Sequence, residues 1–530
     1  MDVIAAASLW LDQDPDPQTR EELQALLDAN DLEELTRRFD GRLQFGTAGL
    51  RGALGAGPQR MNRVTVARAA AGLAQHLLAE AESPSVVVGY DARFNSEVFA
   101  RDTAEIMTGM GVRAHLLPRA LPTPVLAFAI RHLQVSAGVM VTASHNPPQD
   151  NGYKVYLGDS SQIVPPSDTQ ISEAIDRVGR VDELLRSEGY SIVDEDTVDA
   201  YVAAAAALVE DGPREVVAVY TAMHGVGRET LEQVVAAADF PALHLVTEQA
   251  DPDPRFPTVA FPNPEEPGAM DLALAKAAEV DADLVIANDP DADRCAVAVR
   301  TSGGHRMLTG DQVGALLADH CLRRGLRGTY AASIVSSDLL GRQAAAMGQP
   351  WQQTLTGFKW IGKIDDLAFG YEEALGYSVA PHIARDKDGI TAALLVLELA
   401  AALKAEEKTL LDRLHEIYAE HGWHATGQLS VRVEDLTIIT RAMETLRTAP
   451  PAELGGLSVE SVDDLANGYR GLPPTDGVRL GLAGSTRVIV RPSGTEPKLK
   501  CYLEAVAGTQ DEAESTLEAV KADLAAALGL

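Results

Sequence analysis

Apolar positions along this chain follow two rhythms, and the switches between them predict its elements. Continuous apolar runs at residues 86–90, 112–117 and 138–142 read as buried strands, with a helix over 97–109 between the first two. That β-α-β order implies a parallel or mixed sheet with helices on its faces. A second block repeats the layout. It has a strand at 216–221, a helix to 238, a strand at 243–246, a proline-rich loop over 251–268, then a helix and a strand at 283–287. A third block runs from 311 through strands at 330–335 and 353–356 to a long helix over 389–405. The last hundred residues change character. Short strands at 428–433, 477–482, 486–490 and 499–506, with helices over 437–446 and 509–527, predict an α+β domain with an antiparallel sheet; 468–477 is a loop within it. Residues 1–40 are polar and helix-favouring, interrupted by Pro15 and Pro17, and read as a helical N-terminal extension.

Composition adds bounds. A chain of 530 residues is too long for one core and implies three or four domains. The formal net charge of -32 repels polyanions, which argues against general nucleic-acid or anionic-membrane binding. A phosphate-bearing substrate would therefore need a local cluster of Arg and Lys. Cys295, Cys321 and Cys501 are widely spaced, which fits a reducing compartment and neither a disulfide scaffold nor structural zinc. The N-terminus has no basic region before an apolar run, and no apolar run reaches a membrane-spanning length. A soluble, cytoplasmic protein is expected.

The chemistry concentrates in two segments. Ser144 follows the 138–142 run in Val141-Thr142-Ala143-Ser144-His145-Asn146-Pro147-Pro148. About 145 residues later stands Asn288-Asp289-Pro290-Asp291-Ala292-Asp293-Arg294. A serine hydroxyl at a strand end, with carboxylates that can converge on a divalent cation, is what metal-assisted phosphoryl transfer through a serine requires. Carboxylates at i, i+2 and i+4, with no His or Cys among them, favour Mg²⁺. An EF-hand is excluded, because its twelfth position holds Arg300 and a strand over 295–299 follows. A solvated acidic turn and a helix cap at Ser144 remain the plain alternatives. Asn151-Gly152 reads as a turn that folds Lys154 back toward the serine, as a possible acid or base.

Other segments are less specific. The glycine-rich turn at 45–52 carries Arg51, and Gly89-Tyr90-Asp91-Ala92-Arg93 ends a strand where an arginine could reach the same crevice or form a surface ion pair. Arg491-Pro492-Ser493-Gly494-Thr495 offers backbone N–H groups, two hydroxyls and a guanidinium, which together suit a phosphate. Glu372 sits in a glycine-flanked loop suited to sugar hydroxyls, and Thr356-Gly357 precedes Phe358-Lys359-Trp360. His382 and Lys387 are candidate proton shuttles.

Taken in order, FGTAGLRG, TASHNPPQDNGYK, NDPDADR, GYEEALGY and RPSGTEPKLK closely resemble the α-D-phosphohexomutase superfamily, nearest to its long phosphoglucomutase/phosphomannomutase branch with the phosphopentomutase-like enzymes. The motifs span residues 45 to 500. The resemblance implies three related α/β domains with mixed sheets and a C-terminal α+β lid domain, arranged around a central cleft. The expected division is 41–210, 211–307, 308–424 and 425–530, after the extension. It further implies that Ser144 carries a phosphoryl group and binds one Mg²⁺ together with Asp289, Asp291 and Asp293. Arg51, His145 and Lys154 would line the transfer site; His382 or Lys387 would be a base across the sugar. Arg294, Thr356, Gly357, Glu372, Arg491, Ser493, Gly494 and Thr495 would bind substrate.

The implied activity interconverts glucose 1-phosphate and glucose 6-phosphate through a bound glucose 1,6-bisphosphate, which also primes the enzyme, in a monomer or dimer. Ala374 stands where many relatives carry serine in the sugar loop, which keeps mannose and pentose phosphates in play. Outside the family, a phosphatase that lets water attack the phosphoserine and a non-catalytic phosphosugar-binding protein are the rivals.

Overall fold

The computed structural model describes residues 2–44, 49–433, 435–493 and 498–529. The chain divides into two compact units: residues 1–308 with 376–406, and residues 309–375 with 407–530. Four sheets follow in chain order, as the four-domain α/β pattern requires.

In the first sheet Leu50–Ala53, Asp150–Leu157, Ala137–Val141, Ser85–Tyr90, Arg113–Leu116 and Ser191–Ile192 lie side by side in that order. Ser85–Tyr90 pairs in parallel with both Arg113–Leu116 and Ala137–Val141. Asp150–Leu157 runs antiparallel to Ala137–Val141 and to Leu50–Ala53. The central strands are buried on both faces, which is why they read as unbroken apolar runs. The second sheet repeats the mixed design: Ala218–Thr221 and Leu284–Ala287 are parallel, and Ala296–Thr301 returns antiparallel.

One difference from the sequence reading concerns the site. Asn151-Gly152 is no turn but lies inside the strand Asp150–Leu157. Glycine is needed there because the backbone approaches closely: a Cβ on Gly152 would stand 2.5 Å from the Thr142 carbonyl oxygen. The Asn151 amide turns inward and donates to the Phe94 carbonyl at 2.8 Å. Helix Gly389–Ala405 packs within the first compact unit. A Cβ on Gly389 would meet the Arg294 carbonyl oxygen at 2.2 Å, so this helix starts hard against the aspartate turn.

The N-terminal extension is three helices, Val3–Gln13, Pro17–Asp28 and Leu32–Phe39, started by Asp2, Asp16 and Asp31 side chains that accept backbone N–H groups. Each contributes to the first core, through Ala7 and Trp10, Leu23, and Leu35.

In the second unit, Thr329–Ser333 pairs in parallel with Trp351–Thr354 and Leu367–Glu372. The C-terminal sheet is antiparallel throughout and packs its own core, including Leu446, Leu480, Val490, Leu503 and Leu524. No helix among the described residues is long and apolar enough to cross a membrane.

Candidate active site

Strand Ala137–Val141 delivers the chain to Ser144, which is 2% exposed and has φ +51°. A left-handed backbone at a residue with a side chain costs roughly 1–2 kcal/mol, so its surroundings must hold it. They do so on both sides of the residue. Ser144 N donates to Thr142 Oγ1 at 2.9 Å, and that hydroxyl donates to Asp91 Oδ2 at 2.6 Å. The Ser144 carbonyl accepts from the Arg93 guanidinium. Arg93 is therefore no surface ion pair: its side chain is 1% exposed and lies 3.3 Å from Asp91.

The aspartates converge through a turn in which Ala292 is left-handed at φ +53°. Asn288 closes it, donating to the Arg294 carbonyl at 2.6 Å and accepting from the Tyr220 hydroxyl at 2.8 Å. Asp289, Asp291 and Asp293 are buried, and an oxygen of each lies within 4.8 Å of the others. Ser144 Oγ donates to Asp289 Oδ2 at 2.6 Å, so the two segments separated by 145 residues meet directly.

Cations surround this group. Lys154 Nζ donates to Asp291 Oδ2 and Asp293 Oδ2, both at 2.8 Å. Lys387 Nζ is 3.1 Å from Asp293 Oδ2. Arg294 Nε stands 3.9 Å from Asp289 Oδ2, and Arg51 Nη1 donates to Asn146 Oδ1 in the serine loop at 3.0 Å. The threonine at the start of helix Thr123–His132 adds a hydroxyl on Asp291 at 2.6 Å. Nothing in the sequence around Thr123 marked it, because only the fold brings that helix end to the turn.

Burial and the like charges of Asp291 and Asp293 push the Asp289 carboxyl well above its ordinary range. For Asp291, burial and Asp293 push upward, but the Lys154 ammonium and the hydroxyl of Thr123 hold it low. Asp293 is also held low: burial opposes, and Lys154, Lys387 and Arg294 prevail. His145 is driven well below the usual imidazole range by burial, then by Arg294 and Arg51, and is neutral with Nδ1 3.2 Å from Ser144 Oγ.

The donor set fits a hard divalent cation. Among the described residues, the buried Oδ1 atoms of Asp291 and Asp293 have no hydrogen-bond partner, which leaves them open to a cation.

The structure thus brings Ser144, His145, Arg51, Lys154, Asp289, Asp291, Asp293, Arg294 and Lys387 together in the first unit. His382 is exposed and is tied to Arg131 through its carbonyl rather than its ring. In the second unit Gly357 N donates to Glu372 Oε1 at 2.7 Å, so the 356–357 turn and this carboxylate adjoin. Arg491 lies in strand Arg487–Pro492, and Ser493 N donates to the Lys498 carbonyl at 2.8 Å. Gly494 and Thr495 lie outside the described residues.

Comparison with known proteins covers the same ground. Models of phosphoglucomutase/phosphomannomutase domains match in sequence: α/β/α domain I over residues 42–181, domain II over 199–304, domain III over 309–421 and the C-terminal domain over 431–522. The chain is 50% identical over 465 residues to a Haemophilus influenzae protein named "Probable phosphomannomutase", covering 86% of this chain and 95% of the other. It is 36% identical over 555 residues to the phosphopentomutase of Homo sapiens, covering 94% and 90%. Against the phosphoglucomutase of Staphylococcus haemolyticus it is 36% identical over 497 residues, covering 88% and 90%.

Proposed function

The chain belongs to the phosphoglucomutase/phosphomannomutase family, and from that premise we propose that it moves a phosphoryl group between two hydroxyls of one sugar by way of Ser144. The supporting observation is the 2.6 Å contact between Ser144 Oγ and Asp289 in a buried carboxylate and cation cluster. In this reading phosphorylated Ser144 gives its phosphoryl group to the free hydroxyl of a glucose monophosphate, forming glucose 1,6-bisphosphate. The intermediate turns over and its other phosphate returns to the serine. Free bisphosphate primes the resting enzyme.

Asp289, Asp291 and Asp293, with the phosphoserine, would hold one Mg²⁺, which when bound neutralises charge on the phosphoryl oxygens. A phosphoserine brings about -1.5 to -2 charges to three carboxylates. Lys154, Arg294 and Arg51 supply the balancing charge, and fixed cations of this kind need no reorganisation as the transition state forms. His145, being neutral, positions the serine oxygen by hydrogen bonding and adds no charge. Lys387, whose Nζ lies 3.1 Å from Asp293 Oδ2, or His382 would serve as the base across the sugar. Glu372, with Thr356 and Gly357, would receive sugar hydroxyls, and Arg491, Ser493, Gly494 and Thr495 the phosphate that does not react. The domain division is 41–210, 211–307, 308–424 and 425–530, after the helical extension. The setting is the cytoplasm, with the enzyme as monomer or dimer.

A second reading concerns the sugar. Ala374 removes one hydroxyl from the Glu372 loop, and identity to a phosphopentomutase extends over most of the chain, which favours ribose or deoxyribose 1-phosphate as a substrate. Turnover on glucose, mannose, ribose and deoxyribose 1-phosphates, measured side by side, ranks the sugars. Ser144→Ala is expected to abolish turnover with the melting temperature preserved; full activity in that variant rejects the mechanism. Stoichiometric release of inorganic phosphate would identify a phosphatase instead.

A further inference from the structure

We infer that Arg93 is a positioning residue for the phosphoryl transfer, clamping the serine loop so that the Ser144 hydroxyl faces Asp289. The inference rests on the proposed role of Ser144.

Four carbonyl oxygens of one loop converge on this guanidinium. Nη2 donates to the Ser144 carbonyl, and to that of Asn146 at 2.6 Å; Nη1 donates to those of Pro147 at 2.9 Å and Asp150 at 3.2 Å. Phe256 covers the group, its ring centroid 4.9 Å from Cζ. The countercharge is Asp91, which also accepts the Ser96 hydroxyl at 2.6 Å and the Arg93 amide at 3.0 Å.

The same carboxylate receives the Thr142 hydroxyl that holds Ser144 N–H. Both main-chain polar groups of the left-handed serine therefore end on one buried ion pair. Arg93 touches neither the carboxylates nor the serine hydroxyl, so it acts only through the loop. The chemistry also specifies the residue. A planar fork can serve two carbonyls from each terminal nitrogen, whereas the lysine ammonium has three donors at one point.

Arg93→Lys is expected to lower kcat about 100-fold, the scale of roughly 1 Å of misplacement at a reacting atom, with KM for the sugar phosphate little changed. Hydrogen exchange of the 142–150 peptide should accelerate while the remaining peptides stay as in the wild type. Thr142→Val cuts the amide side of the clamp without removing a charge and should give the same signature. The double variant Asp91→Asn/Arg93→Met, neutral as a pair, should not recover kcat. Wild-type kcat in Arg93→Lys, recovery in the double variant, or a kcat loss with unchanged exchange across 142–150 overturns the inference. Absence of Ser144 phosphorylation in wild-type enzyme incubated with glucose 1,6-bisphosphate overturns the mutase reading instead. The exchange comparison still decides in that case whether Arg93 holds the loop.

Discussion

Ser144 and Asp289 illustrate how little distance in sequence says about distance in space, and how much residue type says about chemistry. The serine, the three aspartates and Lys154 could be named from spacing because phosphoryl transfer restricts which side chains can serve. Their partners could not. Thr123, Asn288, Tyr220 and Asp91 are ordinary residues whose importance comes from where the fold puts them. Asp388 is another. It caps helix Gly389–Ala405, accepting from Ile390 N and Thr391 N at 3.0 Å and from the Tyr201 hydroxyl, and burial pushes its carboxyl up to about 6. A carboxyl raised above its unfolded value of 3.8 adds stability that is fully present below pH 3.8 and is lost as pH rises through 6. Asp388→Asn keeps an acceptor without the buried charge. It should stabilise the fold at pH 7 by on the order of 3 kcal/mol, seen as a higher melting temperature, and give no advantage at pH 4. Thermal melts at the two pH values check this; a pH-independent difference would contradict it.

At the scale of elements, glycine contacts decide what packs against the aspartate turn. Gly389 has no room for a side chain against the Arg294 and Ala292 carbonyl oxygens. Gly389→Ala is therefore expected to displace the aspartate turn and raise the Mg²⁺ concentration for half-maximal activity by about 10–100-fold, as changes behind metal ligands do. Titration of activity with Mg²⁺ provides the measurement. The extension makes the opposite point about legibility. Its polar, charged sequence announced helices, but a buried residue or two in each, such as Trp10, Leu23 and Leu35, joins it to the first core. Leu23→Ala should cost about 2–5 kcal/mol, the usual result of emptying a fully buried leucine site. A denaturant melt with less than 1 kcal/mol of loss would show the extension to be an appendage. Strand Leu457–Asp464 escaped notice because none of its residues is fully buried, so it carries no apolar run.

Over the whole chain there are several buried cores, one built from residues 7–181 and another from 433–524. Unfolding should accordingly show more than one calorimetric transition, since chains of this size rarely melt as one cooperative block. Leu446→Ala, in the C-terminal core, is expected to move one transition and leave the others in place. A single transition shifted as a whole would mean that the cores are fully coupled. The net charge of -32 also acts at this scale: anionic substrates meet a repelling field everywhere except where Arg and Lys are gathered.

Unbroken apolar runs, the shift to short strands after residue 425 and the order of the motifs pointed to the fold class and the reaction type, and named the candidate residues. These are local signals, set by periodicity of burial and by the demands of one chemistry. Tertiary structure alone decided that Asn151-Gly152 is strand, that helix Gly389–Ala405 abuts the aspartate turn, and that Arg93 lies beneath the serine loop. Each of those depends on backbone groups from distant segments coming within hydrogen-bond or van der Waals reach. No residue pattern within a single segment encodes such an approach, because its energy belongs to both partners at once.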